Sequence, residues 1–125
     1  MSIFVYHKLQ VWQMAKDLVL DIYRITKTFP AEEKFGLTPQ INRAAISVAS
    51  NIAEGSARSS RKDQAHFSQL SCGSLMELAC QLEISSKLGF INEPEWQSVS
   101  EKTEAIAAKL SRLRSSQLSG LRSGQ

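Results

Sequence analysis

The chain has 125 residues, of which 42% are apolar and 22% charged, a balance that excludes a disordered chain and an integral membrane protein. This is the length of one ordinary domain, and it suffices to bury a hydrophobic core without metals or disulfides. Fifteen basic and twelve acidic residues give a net charge of +3, which is too small to establish a nucleic-acid partner by itself.

The sequence contains no signal for membrane insertion or secretion. No apolar run approaches the roughly 20 residues that span a membrane, and the first eight residues lack the charged-then-apolar order of a signal peptide. Cys72 and Cys80 lie in one predicted helix, about 12 Å apart along its axis, so they cannot form a disulfide with each other. We expect both thiols to be buried as small hydrophobic groups, and the protein to be cytoplasmic.

The first predicted helix begins near Val11 and carries one apolar stripe, whose members are spaced alternately by four and three residues. The stripe consists of Val11, Ala15, Leu18, Ile22, Ile25 and Phe29. Pro30 prevents the helix from continuing, and residues 31–37 are predicted to form a loop.

The second predicted helix starts at Thr38-Pro39, because threonine can cap free amides and proline at the first helical position has no amide to satisfy. Its apolar stripe consists of Ile41, Ala45, Val48 and Ile52. The intervening residues are so small that neighbouring helices can approach closely. Gly55 is predicted to end this helix, because glycine accepts the left-handed conformation found at helix ends.

Two further helices are predicted in the second half of the chain. Ser60 and Asp63 resemble a capping box that opens the third helix, which extends to about Leu88 and ends in a Schellman motif at Gly89. Its apolar positions are Phe67, Leu70, Leu75, Leu78, Leu82 and Ile84. Residues 92–95 cap the fourth helix. Its apolar stripe is Trp96, Val99, Thr103, Ile106, Leu110 and Leu113.

Four helical stripes, short loops and the lack of strand alternation predict one fold class. This is an all-α, antiparallel up-down-up-down four-helix bundle. The bundle domain is predicted to comprise residues 1–118. From Ser115 onward serine, glycine and glutamine predominate, and residues 119–125 are predicted to form a flexible tail.

The segment from Phe35 to Gly55 closely resembles the signature of a bacterial four-helix-bundle family, the 23S rRNA intervening-sequence proteins. The most specific part is Asn51-Ile52-Ala53-Glu54-Gly55. Further similar positions occur at residues 9–15, 23–30, 58, 60–62 and 73–78, so the resemblance covers about residues 7–115.

This resemblance implies a homo-oligomer without known catalysis. Members are encoded in insertions within large-subunit rRNA genes, or elsewhere in genomes without a settled role. A related branch, the accessory proteins of diversity-generating retroelements, forms ring-shaped homopentamers that bind a reverse transcriptase and nucleic acid through basic surfaces. The implied partners are therefore other copies of the chain, in a pentamer, and RNA or a reverse-transcriptase-like protein.

Two basic clusters are candidate nucleic-acid-binding groups. The first lies at the predicted turn between the second and third helices and consists of Arg58, Arg61 and Lys62. The second follows the last acidic residue of the chain and consists of Lys109, Arg112 and Arg114. Such groups can bind phosphates, and a helix N-terminus adds partial positive charge to the first cluster. The alternatives are a solvated turn for the first cluster and stabilisation of the helix dipole for the second.

Arg43 lies among small and apolar residues of the second helix, so it must extend outward or pair with a carboxylate. We predict a structural ion pair with Glu54 or Glu77. The sequence places no carboxylates together in a catalytic geometry, and Asp63 with His66 is a single, incomplete metal-binding pattern. No catalytic residue, metal or cofactor is predicted.

The leading functional hypothesis is a non-catalytic, homo-oligomeric adaptor that associates with RNA or a nucleic-acid enzyme through basic surfaces. The alternative is a purely structural or protein-interaction oligomer that does not bind nucleic acid, in which the basic residues provide solubility and subunit contacts. An enzyme would require a pocket with convergent polar groups between the helices.

Overall fold

The computed structural model describes residues 4–122, with side chains up to residue 119. Its four α-helices are α1 (Gln10–Thr26), α2 (Leu37–Ser56), α3 (Arg61–Lys87) and α4 (Glu93–Arg122). Short 3-10 helices, Val5–Lys8 and Ala31–Glu33, precede α1 and α2. No strand occurs in residues 4–122. The predicted all-α four-helix bundle is confirmed.

The helices pack in chain order around the bundle. Each contacts its neighbours in sequence, and α4 also packs against α1, which closes the bundle. Because the connections are short, successive helices run antiparallel. The α1/α2 edge and the α3/α4 edge therefore lie on opposite sides of the molecule. None of the described helices combines the length and apolar character needed to cross a membrane.

A single hydrophobic core runs between the helices. All six residues of the predicted α1 stripe and all four of the α2 stripe are buried. In α4, the central four residues of the predicted stripe are buried, and Trp96 and Leu113 pack against the core while half-buried. The periodicity of these three helices therefore identified the core face correctly.

The predicted apolar stripe of α3 is correct only in part. Leu75, Leu78 and Leu82 are buried, but Leu70 and Ile84 are 42% and 46% exposed. The core-facing positions of α3 also include three buried serines, Ser68, Ser71 and Ser85. A hydrophobicity pattern cannot assign such positions to the core, because it counts serine as polar.

Each buried serine of α3 forms a hydrogen bond that offsets the cost of removing its hydroxyl from water. Ser71 Oγ donates to the Val48 carbonyl of α2 at 2.8 Å, and Ser68 Oγ donates to Gln117 Oε1 of α4 at 2.8 Å. Ser85 Oγ donates to the Gln81 carbonyl of its own helix at 2.8 Å. These small side chains let α3 approach its neighbours closely.

Three predicted helix ends are confirmed. Ser60 Oγ accepts the Asp63 amide at 3.1 Å, and Asn92 Oδ1 accepts the Glu95 amide at 2.9 Å. Gly89 has a φ of +81°, and the Phe90 amide donates to the Ser85 carbonyl at 2.9 Å, as a Schellman motif requires.

Both predicted ends of α2 are wrong. The helix begins at Leu37 rather than Thr38, and its first amide donates to Glu33 Oε1 at 3.0 Å, so a preceding glutamate caps it. The helix continues through Gly55 to Ser56, and Gly55 is buried. Gly55 therefore does not terminate α2.

Helix α4 extends to Arg122, beyond Ser115, where the sequence indicates a loose segment. Gln117 is only 9% exposed and is anchored to Ser68. The domain limit at residue 118 and the flexible tail of residues 119–125 stay predictions, and residues 123–125 lie outside the described part.

Candidate nucleic-acid interface

The first predicted basic cluster lies at one end of the bundle, and the second extends along α4 from that half of the molecule to near the middle of the helix, where Lys109 lies. Arg61 and Lys62 form the first turn of α3, and the Ser68–Gln117 hydrogen bond joins the start of α3 to the last turns of α4. One depression of about 190 Å³ at this end is bordered by residues from four segments, including Val5, Ser56, Gln64 and Gln117. The start of the chain, the end of α2, the start of α3 and the end of α4 therefore meet here.

We call this part of the molecule the basic end and define it as residues 4–9, 52–68 and 109–119. It contains seven basic and two acidic residues, whereas residues 10–51 and 69–108 contain seven basic and ten acidic residues. The bundle is thus electrically polar along its axis. A polyanion is attracted to one end of such a molecule and repelled by the other.

Arg58 is held in place by contacts on both its main chain and its side chain. Its guanidinium carbon lies 4.6 Å from the centroid of the Phe67 ring, and its carbonyl accepts the Gln64 side-chain amide at 2.9 Å. Stacking uses the flat face of the guanidinium and leaves the N–H edge for phosphate oxygens. Arg58 therefore has less conformational freedom to lose on binding an anion.

The other five candidate cations differ in exposure. Arg61, Lys62 and Arg112 are exposed, whereas Lys109 and Arg114 are half-buried. Among residues 4–119, the ion pairs are Lys16–Asp17, Arg24–Asp21 and Lys102–Asp21. No candidate cation is therefore neutralised by a neighbouring carboxylate of the described residues.

The predicted ion pair of Arg43 with Glu54 or Glu77 is not formed in the described structure. All three residues are exposed, and the ion pairs given above do not include them. Arg43 instead extends outward from α2, which is the other arrangement that its sequence position allows.

The two thiols differ in their surroundings. Cys72 is half-buried, but Cys80 is exposed, so the expected burial of both is wrong for Cys80. Burial raises the pKa of the Cys72 thiol, and attraction by the Arg114 guanidinium opposes part of that increase. Among the side chains described, no group of three or more His, Cys, Asp or Glu residues is placed to hold a metal ion.

The raised pKa of Cys72 predicts a loss of stability at alkaline pH. The folded state holds the thiol proton more tightly than the unfolded state, so the stabilisation is complete below the ordinary thiol pKa. It is lost as pH rises through the folded-state pKa. We expect the free energy of unfolding to fall less between pH 7 and pH 10 in Cys72→Ala than in the wild type, as measured by urea denaturation. Cys80→Ala is the control and should behave as the wild type does.

Two exposed apolar surfaces are present that the sequence did not predict. A groove of about 330 Å³ lies between α1 and α2, and its apolar lining includes Trp12, Val19, Leu20 and Ile46. We call it the α1/α2 groove. In the second half of α3 and at the residue that follows it, four residues spaced four apart form an exposed row, the α3 ridge, which consists of Met76, Cys80, Ile84 and Leu88. The four-residue spacing of these residues was visible in the sequence. Whether their side chains are exposed depends on how α3 is rotated in the bundle.

These features define the class of the protein as an all-α four-helix bundle with a positively charged end. Residues 7–112 match the sequence profile of the 23S rRNA-intervening sequence proteins, and the chain belongs to this family. The family resemblance noted in the sequence is confirmed.

The fold is similar to that of a solved protein of unknown function from the S23 ribosomal protein family of Bacteroides thetaiotaomicron. The TM-score is 0.75, with 21% sequence identity over 80% of this chain and 94% of that one. At this identity the similarity shows a shared fold. No curated protein matches the chain in sequence. The description of the matched family names no reaction.

Proposed function

We propose that the chain is a non-catalytic, homo-oligomeric adaptor that binds RNA through the basic end. The observation that supports this most directly is that two basic clusters distant in sequence share one half of the bundle. Arg112 and Arg114 lie in the same half as the first cluster, and Lys109 lies near the middle of α4. A cytoplasmic location belongs to the same proposal, and the two free cysteines support it.

Phosphate recognition follows from the chemistry of this end. Arg58 offers a pre-positioned guanidinium, and Arg61 and Lys62 add exposed charges where the first amides of α3 also attract anions. Contacts of this kind bind the phosphate backbone without reading bases. RNA affinity should therefore be strongly salt-dependent and nearly independent of sequence.

Self-association would strengthen RNA binding, because each subunit adds one copy of a site that is weak in the single chain. In a ring related by rotation, every subunit holds its basic end in the same orientation to the ring axis, so equivalent sites repeat around the ring. A strand that contacts several subunits gains avidity without any new contact. We therefore include homo-oligomerisation, with five subunits as the family resemblance implies, in the proposed function.

The test replaces Arg58, Arg61 and Lys62 together by alanine. Loss of up to three phosphate contacts should weaken RNA binding at least tenfold and equally for unrelated sequences. It should also reduce the slope of log affinity against log salt by about 2, at roughly 0.7 per phosphate on a single strand. Fluorescence anisotropy with labelled single-stranded RNA, from about 50 to 200 mM salt, measures both quantities.

The matched control removes three exposed cations outside the basic end, Lys27, Lys34 and Lys87. This triple variant loses the same charge and should retain most of the affinity and slope. Equal losses in the two variants would show that only net charge matters, and lack of wild-type binding at about 50 mM salt would reject RNA binding. Light scattering on each variant verifies that assembly is unchanged.

The second candidate function is a protein-interaction oligomer that does not bind nucleic acid. The exposed groove between α1 and α2 and the exposed α3 ridge favour it, because exposed apolar patches commonly mark protein contacts. In that case light scattering would show an oligomer while the RNA titration stays flat. Binding of an RNA-processing enzyme in place of RNA would give the same flat titration.

A further inference from the structure

Four aromatic side chains form a continuous cluster near the start of the chain. Tyr6 lies at its centre, and its ring centroid is 4.5 Å from that of His7 and 4.6 Å from that of Trp12. Phe4 stacks on Tyr6, with 5.8 Å between the centroids and 27° between the ring planes. We call these four side chains the aromatic cluster.

The aromatic cluster is only partly used in the packing of the bundle. Phe4 is 54% exposed, and His7 is also exposed. Tyr6 and Trp12 are half-buried, and Trp12 packs against the hydrophobic core. Aromatic surface this exposed is costly to leave in water, and it gains free energy when another flat apolar surface covers it. The cluster therefore offers ring surface to a ligand.

Hydrogen bonds and packing hold the rings in place. The Leu9 amide donates to the Tyr6 carbonyl at 3.0 Å, and the Gln13 side-chain amide donates to the His7 carbonyl at 3.1 Å. The first 3-10 helix, which carries two of the rings, packs against both α1 and α2. Rings fixed in this way have little conformational freedom to lose when they bind a second flat group.

The aromatic cluster lies beside the cations of the basic end. Val5 shares a depression with Gln64, whose side-chain amide donates to the Arg58 carbonyl at 2.9 Å. Lys8, an exposed cation of the basic end, directly follows His7. A strand whose phosphates contact these cations therefore has its bases within reach of the rings.

The surroundings of the rings carry little net charge. The Lys16 ammonium lies 5.8 Å from the Trp12 centroid, but it is paired with Asp17 at 3.8 Å. Lys8 of the 3-10 helix and Glu54 of the last turns of α2 have opposite charges. Such a surface suits the uncharged faces of bases, whereas phosphates are attracted to the arginines and lysines of the basic end. Base faces are covered in a duplex and can be presented to a protein only by unpaired nucleotides.

We propose that the aromatic cluster stacks on unpaired bases of the RNA whose phosphates bind the basic end. The ligand is therefore a single strand or a single-stranded loop. This inference rests on the RNA binding in the proposed function and specifies the class of RNA. Stacking tolerates any sequence, because every base has a π-face. The cluster thus distinguishes unpaired from paired RNA, and a duplex keeps the phosphate contacts alone.

The test removes the most exposed ring of the cluster by Phe4→Ala, which should leave the fold unchanged because the side chain is exposed. Affinity for single-stranded RNA should fall about fivefold or more, as expected for the loss of one stacked base. Affinity for a duplex of equal length should not change. Phe4→Tyr retains a flat ring and should bind single strands as the wild type does.

Phe35→Ala is the matched control. This ring is 90% exposed and has the Lys34 ammonium 5.5 Å from its centroid, but it lies in the connection between α1 and α2, at the other end of the bundle. Its removal should leave both affinities unchanged. Full single-strand affinity in Phe4→Ala, or an equal loss for single strand and duplex, would overturn base stacking.

Fluorescence of Trp12 provides a second readout, because a nucleobase stacked on an indole quenches its emission. In Trp96→Phe, Trp12 is the one tryptophan left in the chain. Single-stranded RNA should quench this emission, whereas a duplex and an abasic strand of equal length should not. Salt-dependent binding with unquenched Trp12 would overturn stacking and leave phosphate binding by the basic end intact. Lack of binding to any of the three probes would reject the proposed function, and this inference with it.

Discussion

Replacing Gly55 by alanine should destabilise the bundle by about 1–3 kcal/mol, the usual cost of overpacking a well-packed interior. A Cβ at this position would lie 2.8 Å from the Cβ of Phe67, a separation that requires α2 or α3 to move. Phe67 Cβ is bonded to its own main chain, so rotation of the ring cannot relieve the contact. Urea denaturation of wild type and variant measures the change in the free energy of unfolding.

Gly73→Ala is the matched control for this experiment. Gly73 lies in the interior of α3, and a Cβ there would meet nothing within 4 Å. Alanine should therefore stabilise α3 by about 0.5–1 kcal/mol, as it does in an unobstructed helix. If both substitutions stabilised the protein, close packing at Gly55 would be disproved.

The close approach at Gly55 also positions the basic end. The Gly55 carbonyl accepts the Arg58 amide at 3.1 Å, and Phe67 carries the stacked guanidinium of Arg58. A shift of α3 away from α2 would therefore displace Arg58 from its ring. We explain the glycine of the Asn51–Gly55 segment as a packing residue that brings the two helices and their cations together.

Local signals in the sequence predicted the features that depend on neighbouring residues. The caps at Ser60 and Asn92 and the ending at Gly89 each involve atoms within five residues, so sequence spacing was sufficient. The end of α2 was mispredicted, because glycine is used both to end helices and to allow close packing. Only the contact with Phe67, which lies in another helix, distinguishes the two uses.

The candidate site was predictable as a set of residues but not as an arrangement. The sequence identified six of the seven basic residues of the basic end and not Lys8. Their placement in one half of the bundle depends on long-range contacts such as Ser68 with Gln117.

The ion pair predicted for Arg43 is not formed with Glu54, because Glu54 lies 11 residues further along the same helix, about 16 Å away along its axis. Glu77 lies on α3, and both it and Arg43 are exposed. The α3 ridge was not predicted, because hydrophobicity alone assigns Ile84 to the core and does not show how α3 is rotated in the bundle.

Truncating Leu78 to alanine should cost about 2–5 kcal/mol, the range for removing a large aliphatic side chain from a closed core. Leu78 is 0% exposed and belongs to the core cluster shared by the four helices. The loss has two parts, the transfer energy of the deleted methyl groups and the cavity that remains. Because stability of a domain this size is limited, the variant should be partly unfolded near physiological temperature.

Leu70→Ala is the comparison that tests the rotation of α3, since the sequence assigned both leucines to the core stripe. Leu70 is 42% exposed, and its truncation should change the free energy of unfolding by less than about 1 kcal/mol. Thermal and urea unfolding of both variants, at protein concentrations below assembly, measure the difference. Similar losses in the free energy of unfolding at the two positions would mean that Leu70 faces the core. In that case α3 would have a different rotation in the bundle, and part of the α3 ridge would be buried.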